Sequence, residues 1–138
     1  MCLASIVMTE SIPPAAAISQ PLIVDFASAP SEATTSRPPA DRLLAGSPLQ
    51  TARNFFSDAT GQFFAGTWES TPGKWQVRYT ENEFCHITRG SVHIEDGQGN
   101  EWHFKAGDSF VVPAGFAGTW KVLEPLAKLY VIFESASL

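Results

Sequence analysis

The sequence predicts an all-β protein, and three observations carry that prediction. From Thr51 onward, short runs rich in Val, Ile, Phe, Trp and Tyr alternate with Gly, Pro, Asn and Asp turn signals. No segment keeps a sustained helical period. Fifteen of sixteen aromatic residues and nine of ten glycines lie beyond residue 50, whereas seven of ten prolines precede it, so the core must be C-terminal.

Taken in order, the expected strands are residues 53–56, 62–69, 75–80, 83–89, 91–96, 101–105, 109–112, 119–122 and 128–134. The breaks between them fall on turn formers: residues 58–61, 72–73, 81–82, Gly90, 97–100, 107–108 and 113–115. Strands this short and this evenly spaced suit a sandwich or a closed barrel, which removes the edges they would otherwise expose. Ahead of them, residues 1–38 form an arm expected to be largely irregular. Its Ala, Ser, Thr and Pro bury too little apolar area to offset the entropy of ordering them. The run at 21–26, PLIVDF, is the one candidate edge strand in the arm, and the barrel domain is expected over 39–138.

Composition excludes several classes of function. Nine Lys and Arg against fourteen Asp and Glu give a net charge of −5, a field that repels phosphate backbones and anionic lipid, so no nucleic-acid or membrane partner is expected. The apolar start has no basic residue before Arg37 and does not read as a secretory signal, and Met8 is an alternative start to Met1. Two cysteines, Cys2 and Cys85, do not make a disulfide framework, so a reducing, cytoplasmic location is expected.

Two motifs then stand at a fixed separation. In PGKWQVRYTENEFCHITRG, Glu83 precedes Gly90 by seven positions; in GDSFVVPAGFAGTW, Gly107, Pro113 and Gly115 follow one another at the same kind of fixed spacing. Glycine supplies positive φ at no steric cost where a strand must turn tightly, and proline fixes φ beside such a turn. The pair of motifs resembles those of the cupin family over roughly residues 39–134. The wording is most similar to small single-domain cupins, some of them likened to ureidoglycine aminohydrolase or to an ethanolamine-utilisation protein. The resemblance implies a cupin-type double-stranded β-helix, a jelly-roll barrel, with the Glu83 face turned into the lumen. Alternation along EFCHITR then puts Glu83, Cys85 and Ile87 on that face.

The resemblance also implies a divalent ion held by three histidines and the glutamate, and here the sequence departs from it. The positions of the first two histidines fall on Gln76 and Arg78, or with the shorter spacing on Val77 and Tyr79, and that of the third on Gly118. Glu83 alone lacks the ligand count of Mn, Zn or Fe, so no metal or other cofactor is expected, with Mn or Zn as the alternative. His93 and His103 should face each other across a hairpin, close enough to share a metal, but parity turns them outward while Val92, Ile94, Trp102 and Phe104 point inward, so they are read as surface or interface histidines satisfied by neighbours, with a metal role as the alternative. Cys85 is read as a small packed side chain rather than a nucleophile.

The site expected from sequence is a small-molecule pocket inside the barrel. Arg78 and Glu83 would orient the ligand, Trp75, Tyr79 and Trp120 would form the walls, and Gln76 and Cys85 would lie beside them. A polar or carboxylate-bearing metabolite fits such a pocket. The alternatives are a metal-dependent hydrolase or isomerase of small nitrogenous metabolites, with Glu83 as ligand or general base, and a structural or assembly subunit. A homodimer is expected, through an outer face that carries Phe84 together with the strand at 21–26.

Overall fold

The structure, a computed structural model, describes residues 20–136. Cys2, Met8 and the first half of the stretch read as a loose arm lie outside the described residues. One curled antiparallel sheet takes in β1 (Ala33–Ser36), β2 (Leu43–Gly46), β3 (Gln50–Ser57), β4 (Phe63–Ser70), β5 (Gly73–Arg78), β6 (Asn82–Asp96), β7 (Glu101–Lys105), β8 (Ser109–Val112) and β9 (Ala117–Phe133). The described residues form no helix, and therefore none long and apolar enough to cross a membrane.

β9 organises the sheet. Along one side it pairs with β6 from Gly118 opposite Asp96 to Phe133 opposite Asn82. Along the other it pairs first with β5, Val122 opposite Gly73, and then with β4, Phe133 opposite Phe63. β3 and β1 extend the sheet beyond β4, β2 extends it beyond β5, and β7 and β8 line the far edge of β6.

Two expected breaks are bends instead. The sequence reads separate strands on either side of Gly90 and of Pro125, but β6 and β9 each run through. The β6–β9 register shifts three times between Ile87 and Val92. Gly90 takes a φ of +84° there, and a Cβ on it would sit 2.1 Å from the carbonyl oxygen of Pro125. The glycine and the proline thus meet on facing strands at one kink, and both residues mark a bulge rather than an end. The other motif glycines, Gly107 and Gly115, have the positive φ their spacing predicts, +97° and +95°.

The edge strand expected at 21–26 does not form. Leu22 and Ile23 are 85% and 97% exposed, and the Asp25 carboxylate accepts from the Ala27 N–H at 3.0 Å, tying the chain into a turn of its own. Phe26 stacks on Phe55 with ring centroids 4.5 Å apart. One edge of the sheet is instead β1, paired with β3, so the sheet begins inside the stretch assigned to the arm.

Alternation sends one face of each central strand into the curl. Trp68 from β4, Trp75 and Val77 from β5, Cys85, Ile87, Val92 and Ile94 from β6, and Trp120, Val122, Leu126, Tyr130 and Ile132 from β9 make one buried cluster. Phe104 stacks on Phe110 at its margin, centroids 3.9 Å apart. Trp102 departs from its inward parity. It is 40% exposed, because β7 is an edge strand, and packs edge-on against Phe116.

Candidate functional site

Among these buried apolar side chains lie two opposite charges. Glu83 enters from β6 and Lys128 from β9, and the Lys128 Nζ donates to Glu83 Oε2 at 2.8 Å with both side chains essentially inaccessible to water. Bare burial of either charge would be prohibitive, so each requires the other. The ammonium also lies over two indoles, 4.7 Å from the ring centroid of Trp68 and 4.6 Å from that of Trp120. Register explains this placement: Lys128 is the direct cross-strand neighbour of Trp68, and Trp120 that of Trp75. The three indoles form a triangle with centroids 5.9, 6.2 and 6.4 Å apart.

Burial pulls Lys128 toward its neutral form, but Cys85 and Glu83 outweigh it, and its pKa ends above the usual 10.5. Cys85, whose Sγ is 3.5 Å from Lys128 Nζ, is itself pushed well up by burial and then by Glu83. It is a neutral thiol, so the carboxylate is what holds the ammonium charged. A thiol held this way is no nucleophile, and packing is the role its geometry supports. Tyr79 is likewise pushed well above its usual 10, by burial first and then by Glu83, and stays a phenol.

Several polar atoms at this centre have no partner within the protein. They are the indole nitrogens of Trp68, Trp75 and Trp120 and the second carboxylate oxygen of Glu83, Oε1. Each unmade hydrogen bond on a buried group costs about 1–3 kcal/mol, so three donors left together are a specific feature of the lumen. An indole N–H can only donate, and what completes it must be an acceptor.

The residues expected from sequence divide into two sets. Trp75, Tyr79, Glu83, Cys85 and Trp120 are buried together in the interior. Gln76 and Arg78 are exposed on the opposite face of β5. There they line a surface groove of about 560 Å³ with Arg42, Glu95, Asp96 and Thr119. The expected pairing of Arg78 with Glu83 is therefore not made. Trp75, Val77 and Tyr79 occupy the inward phase, so the residues between them must point out. Lys128 supplies the interior cation, a residue sequence reasoning missed. The signal was present in the alternation Leu126, Lys128, Tyr130, Ile132, which sets one charge on an otherwise buried face.

The lumen does not fit the divalent ion that the motifs imply. Glu83 is already held by an ammonium, and the other groups beside it are a neutral thiol, Cys85, and a neutral phenol, Tyr79. Of the histidine positions, Gln76 and Arg78 face away, and Val77 and Tyr79 offer no imidazole. At Gly118 even a Cβ would lie 2.1 Å from the Glu95 carbonyl oxygen, so a histidine there requires the backbone to move. A fixed positive charge stands where a metal ligand set would need to close.

Comparison with known proteins gives the same architecture. The model of a family described as the EutQ-like cupin domain matches residues 57–130. A Pseudomonas syringae protein of unknown function superposes with a TM-score of 0.69 at 22% identity, over 79% of this chain and 46% of that one, so this chain spans less than half its length. The EutQ protein of Clostridium difficile gives 0.56 at 14% identity, over 64% of this chain and 65% of that one. A putative ethanolamine utilization protein Q from Salmonella typhimurium gives 0.56 at 16%, over 77% and 97%. At these identities the likeness is one of fold. No curated protein matches.

Proposed function

This chain belongs to the EutQ-like cupin domain family, and from that premise we propose that it binds a small acceptor-bearing metabolite in its lumen without a metal. The observation that carries the reading is the set of three buried indole N–H donors without a protein partner beside the Lys128 ammonium. A carboxylate or carbonyl oxygen satisfies donors of this kind, and the free Oε1 of Glu83 would take an N–H or O–H from the same molecule. A small carboxylate with a neighbouring amine or hydroxyl uses both ends. Tyr79 and Cys85 close the wall beside Glu83, while Gln76 and Arg78 play no part in this site.

Tryptophan fluorescence tests the proposal, since the three indoles themselves report occupancy. Titration with acetate, glycolate, glycine and ethanolamine should give saturable changes for the carboxylates, and Lys128→Met should abolish them while the far-ultraviolet spectrum stays that of the native sheet. Carboxylate binding that survives Lys128→Met, or saturation by none of the four, would refute it.

The chain works in this reading as a homodimer in a reducing, cytoplasmic setting. Across the outer face, Val111, Phe84, Val131 and Ala65 are successive cross-strand neighbours on β8, β6, β9 and β4, with Leu129, Phe133 and Phe63 beside them. Phe84 and Val111 are 43% and 59% exposed, an apolar stripe that a second copy of the chain would cover by twofold symmetry.

A further inference from the structure

We propose that the β6–β7 hairpin carries a divalent-metal site on its outer face, built from His93, Glu95, Glu101 and His103 and suited to Zn²⁺. The hairpin register sets these four as a square: His93 is opposite His103, and Glu95 is opposite Glu101. All four therefore share the face that points away from the lumen. His93 Nε2 lies 3.0 Å from Glu101 Oε1, and one donor atom each from His93, Glu95 and Glu101 falls within 4.8 Å of the others. His103 lies outside that three-residue group, with its ring centroid 5.6 Å from that of His93, and joins as a fourth ligand by turning its imidazole toward the group. With zinc–nitrogen bonds of about 2.0–2.1 Å, two imidazoles at that separation can share one ion.

Two further observations favour a cation here. Like charges directly opposite on paired strands repel, and Glu95 faces Glu101 with only a loose Lys74 contact at 3.8 Å and the His93 ring to offset it. A divalent ion removes that repulsion and needs only Lys74 to swing into solvent. The hairpin is also held rigid. Asp96 accepts from the backbone N–H groups of Gln98 and Asn100 at 2.8 and 3.0 Å and from the Asn100 side chain at 2.8 Å, which fixes the strands that carry the ligands. Lys121, next to His93 on β9, is the charge that opposes binding. Two imidazoles with two carboxylates are a donor set for zinc. The square lies outside the lumen, so it stands whether or not the lumen binds a metabolite.

Calorimetric titration of the tag-free full chain with ZnCl₂ at neutral pH tests the site. The expected result is one Zn²⁺ per chain at micromolar affinity. His93→Gln or His103→Gln should each weaken it at least about 10-fold, the lower bound of what even an outer-shell partner is worth. Imidazole ¹⁵N resonances of the unmodified chain give an independent readout: Zn²⁺ should move those of His93 and His103 and leave His86, which is tied to Ser109 Oγ at 2.8 Å elsewhere on the surface. Absence of saturable binding, affinity unchanged in both variants, or a shift at His86 alone would overturn the proposal.

Discussion

Lys128 and Glu83 illustrate how far a single pair can set the character of a lumen. Desolvating the two charges costs several kcal/mol each, and the 2.8 Å contact with its indole neighbours offsets that cost only while both partners are present. Lys128→Met or Glu83→Met alone should therefore destabilise the protein by about 3–5 kcal/mol, whereas the double variant should lie close to the parent, within about 1–2 kcal/mol. Chemical denaturation of all four proteins measures the cycle, and additive losses in the double variant would contradict a coupled pair. Much of this centre was legible residue by residue, because a period of two places Trp75, Tyr79, Glu83 and Cys85 on one side. Arg78 was misplaced by letting a motif's ligand spacing override that period. Lys128 was missed because it stood at the first position of a supposed separate strand, where inward and outward phases are hard to assign.

At the scale of the element, the kink shared by β6 and β9 decides where that strand really begins. Gly90 reads as punctuation, and in a sequence taken alone a glycine between two β-branched runs is as good a turn as it is a bulge. What distinguishes the cases is the partner across the ladder, which is a long-range fact. The consequence is measurable by comparing glycines. Gly90→Ala meets both a disfavoured φ and the Pro125 carbonyl at 2.1 Å, whereas Gly107→Ala at φ +97° meets nothing within 4 Å. The second change should cost only the backbone strain, about 1–2 kcal/mol, and the first more than twice that, read as the loss in unfolding free energy. Equal losses would mean that the kink is not packed as described. The misread segment 21–26 has a similar origin: its β-branched residues suit a strand, but Asp25 closes a local turn, and no propensity sum contains that competition.

For the whole molecule, fold class and motif placement followed from composition, turn chemistry and spacing, whereas assembly and ion linkage depend on surfaces and depths that only the folded chain defines. Lys128 has a folded pKa above its unfolded 10.5, so its contribution is complete below that pH and is lost as pH rises through the folded value. Tyr79 and Tyr130, both raised by burial with Glu83 adding to it, act in the same direction above about pH 10. Cys85, raised above its usual 9.0 by burial first and then by Glu83, adds its own loss from about pH 9, so melting temperature should hold from pH 7 to about 8 and fall from about 9 upward, and the Lys128→Met/Glu83→Met variant should show a shallower fall. A fall of equal steepness would remove Lys128 from the account. Association is a separate property of the outer face: sedimentation should give a dimer at micromolar concentration that Phe84→Asp converts to monomer, and a monomeric parent would end the dimer reading.

The most direct test of the metal-free lumen is the electron density around Glu83 in crystals of the protein purified without added metal. The account predicts the Lys128 ammonium within hydrogen-bonding distance of the carboxylate, with light-atom density accepting from the nitrogens of Trp68, Trp75 and Trp120. An anomalous peak bonded to Glu83, with Lys128 turned away from it, would contradict it.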